Sequence, residues 1–541
     1  MKGLMQNQQL LVSSLLVHAE KHHGQQFVVS RRVEGDIHRQ TYAQLAERSR
    51  KLASALQQHG VKAASKVATL AWNGYRHMEL YYAVSGSGAI LHTLNPRLFP
   101  DQLAWIINHA EDEVLCFDLT FISLIESLLP KIPTVKKFVL MADKSFMPKE
   151  TKIDNLICYE DLIEQGSGDY VWPVFDENTA SSLCYTSGTT GNPKGVLFSH
   201  RSTVLHSYAA ALPDSLNCSS ASAIMPVVPM FHVNAWGLPY IACMVGAKLV
   251  LPGAMLDGES LYNLIESEKV NLSAGVPTVW QGLLTYVESK NLKFSVMNRT
   301  IIGGSACPPA MIKKFKDTYS VDVLHAWGMT EISPMGALAN PKPHHYALSE
   351  EDFLKIKSKQ GRSLFGVDMQ IISDKGEELP WDGVTAGNLR VRGPWVVDTY
   401  FKEQKSALSD GWFATGDIAT IDKDGFMQIT DRSKDVIKSG GEWISSIDLE
   451  NIAVSHPSVA LAACIAVKHP KWDERPLLVI IKKENANLSK EEMLKYFEGK
   501  LAKWAMPDDV AFVDSIPLGG TGKILKNKLR EQFADYRLPS A

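Results

Sequence analysis

Ser182-Leu-Cys-Tyr-Thr-Ser-Gly-Thr-Thr-Gly-Asn-Pro-Lys-Gly195 begins as a short apolar run and breaks into a loop of hydroxyls and glycines. Glycine lets backbone N–H groups turn toward an anion at close range, and serine and threonine hydroxyls add donors without bulk. Thr186, Ser187, Gly188, Thr189, Thr190 and Gly191 stand in an unbroken row, and Lys194 adds a positive charge. That chemistry suits a phosphate. No Gly-Lys-Ser/Thr closes the loop, so it is not a Walker A loop. A plain Ser/Gly surface loop is the competing explanation, and the density of the row before Pro193-Lys194-Gly195 argues against it.

Outward from the loop, helical and strand patterns alternate, which predicts an α/β architecture. Thr41-Tyr42-Ala43-Gln44 reads as a capping box, Leu45, Leu52, Ala53 and Leu56 make one helical face, and Gly60 stands where a C-terminal cap belongs. Val67–Trp72, Glu113–Phe117 and Ala247–Leu251 read as buried strands. The last hundred residues read as a separate α+β unit. Runs at Val459–Val467 and Leu477–Ile481 precede a helix that starts at Ser489 with Glu492 three residues on. That helix is expected to present Met493, Leu494, Phe497, Leu501 and Trp504 on one side. The boundary is placed in the polar segment from Arg432 to Asp435, giving domains 1–433 and 434–541.

At 541 residues the chain is too long for one ordinary core. Its 56 basic and 59 acidic residues leave a net charge of −3, without the clustered basic surface of a nucleic-acid binder. Seven scattered cysteines form neither a CxxC nor a Cys/His ligand spacing and read as reduced core residues. The start, Met-Lys-Gly-Leu-Met-Gln-Asn-Gln, lacks the apolar core of a signal peptide, and no apolar stretch approaches the roughly 20 residues of a membrane span. A cytoplasmic protein is expected.

Four further segments join the glycine-rich loop in chain order: Ala326-Trp327-Gly328-Met329-Thr330-Glu331, Gly411-Trp-Phe-Ala-Thr-Gly-Asp417, Asp431-Arg432-Ser433-Lys434-Asp435 with Lys438-Ser-Gly-Gly-Glu442, and Pro517-Leu-Gly-Gly-Thr-Gly-Lys523. In this set and order the chain resembles, over essentially its whole length, the AMP-forming acyl-CoA synthetases, a family that includes luciferases and peptide-synthetase adenylation domains. The resemblance implies a large multi-subdomain N-terminal adenylating domain, a small mobile α+β C-terminal domain, ATP, Mg²⁺ and coenzyme A as cofactors or co-substrates, and a homodimer. Thr69–Asn73 and Leu91–Phe99 resemble the medium-chain and methylmercaptopropionate-CoA ligase branch. The acid this implies is 3-methylmercaptopropionate, a product of dimethylsulfoniopropionate breakdown, or another short or medium-chain acid.

Adenylation sets an anion against a polyanion, so positive groups and oriented donors must cover both reactants. The resemblance gives Lys523 the bridging of carboxylate and α-phosphate; an exposed lysine in the basic run to Lys528 is the plain alternative. It gives Glu331 the Mg²⁺, Thr330 a hydrogen bond to the α-phosphate, Trp327 the adenine face, Asp417 both ribose hydroxyls, and Arg432 the ribose or phosphate. A core residue is the alternative for Trp327, and alone Asp417 and Arg432 would more often be solvated charges or turn residues. Gly303, Gly304 and Ser305 would bring backbone close to adenine and acid, unless they form a plain turn; Ala326, Gly328 and Met329 complete that nucleotide wall. His232, Trp236, Gly303, Trp327 and Pro334 are the implied acid contacts, with a satisfied core histidine as the alternative for His232. For the second half-reaction the resemblance gives Lys434 as the hinge, and Lys438, Gly440, Gly441, Glu442 and Trp443 as the approach to pantetheine, where a tight glycine turn is the alternative. Trp236 is expected to close the acid tunnel early, so Trp236→Ala should favour longer acids at a nearly unchanged melting temperature. Trp280 and Met335, if they share that space, would offer polarizable contacts to a thioether. Two other functions stay open: an adenylation enzyme loading a carrier protein, which the lack of a carrier segment after residue 541 disfavours, and a non-enzymatic nucleotide sensor.

Overall fold

The computed structural model describes residues 1, 3–186, 192–439, 442–519 and 523–540, and only the backbone of Glu442 and Trp443. Among the described residues the strands form four sheets. One has the order Ile157–Cys158, Lys137–Leu140, Val114–Phe117, Lys66–Leu70, Ile90–Thr93, Ala180–Tyr185, Gly195–Ser199. Its strands run parallel except the last pair, Ala180–Tyr185 against Gly195–Ser199. Parallel strands need crossovers, which helices such as Tyr75–Gly86 and Pro100–Ala110 supply. Covered on both faces, the strands carry continuous apolar runs, as at Val114–Phe117. A nine-stranded sheet, edged by Ile37–Thr41 and Arg362–Ser363, is parallel through its centre and antiparallel in its outer pairs, and one large apolar core runs between the two sheets.

Local chemistry explains where elements start and stop. Thr41 and Gln44 form the expected capping box at the head of Tyr42–Gln58, and Gly60, at φ 87°, follows its end. The strand expected through Trp72 stops at Leu70, because the Trp72 N–H is taken by the Asp118 carboxylate at 2.7 Å. Glu113–Phe117 and Ala247–Leu251 appear as strands Val114–Phe117 and Lys248–Leu251. All seven cysteines are free, and all but the half-buried Cys218 are buried.

A third sheet holds the antiparallel strands Asp368–Ile372, Gly387–Arg392, Trp412–Ile421 and Met427–Arg432. After Arg432 the chain enters the fourth sheet at Ile437–Ser439, where Val459–His469 pairs with Asp473–Lys482 and Asp509–Phe512 adds in parallel. Helices Ser446–Val454 and Lys490–Tyr496 accompany this C-terminal unit, and an apolar cluster lies on each face of its sheet. The molecule is therefore a large α/β part followed by a small α+β part. The helix after Ser489 has its capping box with Glu492 but ends at Tyr496. Gly499, at φ 76°, turns the chain, so Leu501 and Trp504 leave the helix and Trp504 is 48 % exposed; only Met493 and Phe497 are fully buried as expected. Among the described residues no helix is long and apolar enough to cross a membrane.

Candidate functional site

Strand Asp322–Gly328 ends in Ala326-Trp327-Gly328, where a bulge shifts its register against Met335–Leu338. Trp327 is buried, and its indole N–H donates to Asp417 Oδ2 at 3.0 Å. Asp417 is opposite Arg432 in the strand pair, with Arg432 Nε 2.9 Å from Oδ1. Two motifs far apart in sequence thus meet as one aromatic–carboxylate–guanidinium group. Gly328 is needed where it stands: a Cβ there would lie 2.1 Å from the Pro334 carbonyl, which also accepts the Met329 N–H. Gly336 gives Trp327 its room, since a Cβ would sit 2.4 Å from the indole. Sequence reading missed Gly336, because its contact partner lies on the neighbouring strand.

Ser187, Gly188, Thr189, Thr190 and Gly191 lie outside the described residues. Their frame is clear: the Thr186 N–H donates to the Lys194 carbonyl at 2.9 Å, the Lys194 N–H to Thr186 Oγ at 3.2 Å, and the Phe401 N–H to the Gly195 carbonyl. Strands Ala180–Tyr185 and Gly195–Ser199 thus pair antiparallel, with Lys194 and Gly195 resting on Tyr400-Phe401. Lys194 Nζ stands 4.7 Å over the Tyr400 ring, and the Tyr400 hydroxyl donates to Glu331 Oε1 at 3.0 Å. Tyr400 is a second residue that sequence reading missed; only its position beside the third sheet marks it. Glu331 and Thr330 are buried, and burial pushes the Glu331 carboxyl up, against the pull of Arg432 and Lys523.

Lys523 enters this cluster from the C-terminal unit. A bridge between Leu518 and Ile524, and the Gly519 N–H bonded to the Lys523 carbonyl, form its loop. Its Cε lies 3.8 Å from where a Gly304 Cβ would be. Burial and then Arg432 push its ammonium down to about 8, while Asp417 and Glu331 oppose them. Burial, with Lys523 adding, pushes His232 down to about 3, so His232 is neutral at pH 7. If charged Lys523 is the working form, pyrophosphate exchange falls as pH rises through about 8. A pH–rate profile checks this, and Lys523→Arg, which stays charged, removes the alkaline limb from the activity that remains.

Trp236 belongs to an unusual turn. Val233, Asn234, Ala235 and Trp236 have φ of 42°, 49°, 49° and 56°, and Gly237 follows at 80°. Residues other than Gly and Asn pay roughly 1–2 kcal/mol each in the left-handed region, so Val233, Ala235 and Trp236 together store about 3–6 kcal/mol of strain that packing must offset. The Trp236 ring edge (Cη2) is 3.1 Å from the place of a Gly303 Cβ, whose other neighbour is the Ala326 carbonyl at 2.9 Å. Gly303 thus admits the indole as no other residue would. Ser305 is exposed, on a turn held by His325, whose Nε2 accepts the Cys307 N–H. Val276, 3.2 Å from the place of a Gly304 Cβ, joins this wall and was not foreseen. Trp280 does not share the space: it is fully buried in a second core with Phe315, whereas Met335 and Trp236 are in the main one.

The structure thus brings together Thr186, Lys194, His232, Trp236, Gly303, Gly304, Ala326, Trp327, Glu331, Asp417, Arg432 and Lys523. Lys434 and Lys438 are exposed on the far side of the connection; Lys438 pairs with Trp443 in a hairpin and donates its N–H to Glu474. Gly440 and Gly441, and the side chains of Glu442 and Trp443, lie outside the described residues. Elsewhere, His344 and His345 converge on Asp424 at 3.1 and 3.3 Å, near enough for one ion. His345 Nδ1 accepts the Lys342 N–H, which leaves the proton on Nε2, and Lys342 Nζ is itself 3.4 Å from Asp424. That group is an ion-paired turn.

The AMP-binding enzyme family matches residues 15–401, and the AMP-binding enzyme C-terminal domain matches 448–523. The chain belongs to this family. It is 54 % identical over 536 residues to the 3-methylmercaptopropionyl-CoA ligase of Ruegeria lacuscaerulensis, covering 99 % of both chains. It is also 54 % identical over 542 residues to the medium-chain-fatty-acid–CoA ligase of Ectopseudomonas oleovorans, covering 100 % of this chain and 99 % of that one. Its enzyme class is that of the AMP-forming acyl-CoA ligases. In fold it is similar to the crystal structure of an anthranilate CoA ligase in complex with anthranoyl-AMP, with a TM-score of 0.88, 22 % identity, and 99 % and 100 % of the two chains covered.

Proposed function

We propose that this ligase activates a short or medium-chain carboxylic acid, with 3-methylmercaptopropionate the best candidate, and that the residues gathered around Glu331, Asp417 and Lys523 carry out the adenylation. A carboxylate oxygen of the acid attacks the α-phosphorus of ATP, pyrophosphate leaves, and an acyl-adenylate forms. The coenzyme A thiol then loses its proton and attacks the carbonyl, and AMP leaves with the former carboxylate oxygen. Lys523 covers the charge of the first step from above Gly304, with Thr330 and the Thr186–Lys194 loop on the phosphates. Trp327 takes the adenine face, and Asp417 the ribose hydroxyls with Arg432 beside it. Glu331, a buried carboxylate with one oxygen already held by Tyr400, is a fitting ligand for Mg²⁺, which would neutralise phosphate charge there. His232 stays uncharged and so does not compete with Lys523 for the acid. Residues 434–541 then turn about Lys434, bringing Lys438 and the Gly440–Trp443 segment toward the pantetheine arm.

The observation that carries the acid's size is the Trp236 ring edge set against Gly303, which shortens the space beyond the carbonyl. Support also comes from two relatives of equal identity, one named for a thioether acid and one for medium-chain fatty acids. A thioether contact is worth only about 0.3–1.5 kcal/mol, so alkyl acids of equal length compete. Trp236→Ala is expected to move the preference toward longer acids. Because Trp236 is 8 % exposed and part of the main core, the change also lowers the melting temperature, unlike the expectation from sequence; losing a buried Trp costs about 3 kcal/mol. Acid ranking by kcat/KM is therefore the readout. A ranking left unaltered, or a wild-type preference for long chains, contradicts the reading.

A further inference from the structure

The left-handed turn that presents Trp236 is a short 3₁₀ element, Val233–Gly237, flanked by the Ala235 N–H bond to the His232 carbonyl and the Leu238 N–H bond to the Ala235 carbonyl. Side chains at both ends help to offset the strain of its left-handed residues. At its far end Gly237 is wedged against His206, where a Cβ would lie 2.9 Å from the ring, and His206 Nε2 accepts the Met335 N–H. At its near end the buried side chain of Asn234 reaches into the seven-stranded sheet. Its Nδ2 donates to Ser182 Oγ at 2.9 Å and to the Tyr240 hydroxyl at 3.4 Å, and its Oδ1 faces the Cys184 thiol at 3.5 Å. All three partners are buried. Ser182 and Cys184 alternate onto one face of strand Ala180–Tyr185, and the next residue on, Thr186, opens the phosphate loop.

We propose that Asn234 is a specificity-determining positioning residue: it ties the left-handed turn to the strand that feeds the phosphate loop, and so fixes how deep the Trp236 ring sits across the acid pocket. The inference rests on Trp236 lining that pocket. Asparagine is suited twice over, since it tolerates a positive φ and its amide satisfies buried partners at both ends. With the amide removed, the turn keeps its backbone bonds but loses its register against the sheet, and the ring two residues on is free to shift. The space beyond the acyl carbonyl then varies, while the nucleotide group around Asp417 and Trp327 is untouched.

The test uses the full-length enzyme, ATP, coenzyme A and a series of straight-chain and thioether acids, with Asn234→Gly, Ser182→Ala and Trp236→Ala compared to the wild type. Glycine accepts the left-handed backbone without strain, so Asn234→Gly removes the tether alone. A methylene commands roughly 10- to 200-fold discrimination in a fitted pocket. The expected result is that Asn234→Gly and Ser182→Ala each lower the kcat/KM ratio of short to longer acids by at least about fivefold, with KM for ATP within about twofold of wild type. Either variant keeping the wild-type ranking overturns the proposal, because backbone tolerance or simple packing would then suffice. If Asn234→Gly does not fold, Ser182→Ala carries the test alone. A shifted ranking in Trp236→Ala with none in the other two condemns the tether only. No shift in Trp236→Ala removes the acid pocket from this place, and the tether with it.

Discussion

Lys523→Ala slows formation of acyl-adenylate by at least about 100-fold, the scale of one lost transition-state donor, and largely spares thioester formation from supplied acyl-adenylate. The expectation follows from position. The Lys523 side chain lies over Gly304, close enough to Glu331, Asp417 and Arg432 for their charges to act on its ammonium, and close enough to His232 to help keep that ring neutral. A positive group there lowers the repulsion between an incoming carboxylate and the phosphates, a need that ends when pyrophosphate leaves. Its neighbours Lys526 and Lys528 do not stand in for it: Lys526 is engaged by Glu450 at 2.8 Å and Ser446, and Lys528 by Glu531. Isotope exchange between pyrophosphate and ATP, read beside the single-turnover rate from synthetic adenylate, separates the two steps. Equal losses in both would break the assignment.

Lys434→Pro has the opposite signature. Arg432 to Val436 form a tight turn in which the Asp435 and Val436 N–H groups both donate to the Arg432 carbonyl and Arg530 holds Asp435 at 2.7 Å. Proline fixes φ near −65° and restricts the residue before it, so it limits rotation at this point more than it disturbs either flanking sheet. Coenzyme A transfer is expected to fall by at least about tenfold, a barrier increase of about 1.4 kcal/mol, with pyrophosphate exchange remaining measurable. The two rates measured on one preparation decide the matter. If exchange falls as far as thioester synthesis, the turn at Lys434 is not the hinge.

What the sequence made legible was chemistry carried by neighbours in the chain. The Thr41 and Ser489 capping boxes and the apolar strands are local patterns, and local rules govern them. Trp504 was misplaced because a helical period was carried past Gly499, where the backbone turns left-handed. The condition set on Trp280 fails, since it packs in a different core from Trp236 and Met335, and an aromatic near the right segment says nothing about which side of a sheet it packs on. Tyr400 and Gly336 act on residues 69 and 9 positions away, through contacts that only the assembled sheets create. The left-handed turn at 233–237 was the least legible feature, since three of its residues, Val233, Ala235 and Trp236, disfavour the conformation that packing imposes. Its tether, Asn234, looks like an ordinary loop asparagine until Ser182, Cys184 and Tyr240 are seen around it.

The most direct test of the central claim is acid-dependent product analysis on the intact chain, with ATP and Mg²⁺, in the presence and absence of coenzyme A. An AMP-forming acyl-CoA ligase yields pyrophosphate and enzyme-bound acyl-adenylate without coenzyme A, and equal amounts of AMP and acyl-CoA with it. Release of ADP, or AMP formation that ignores the acid, would contradict the account.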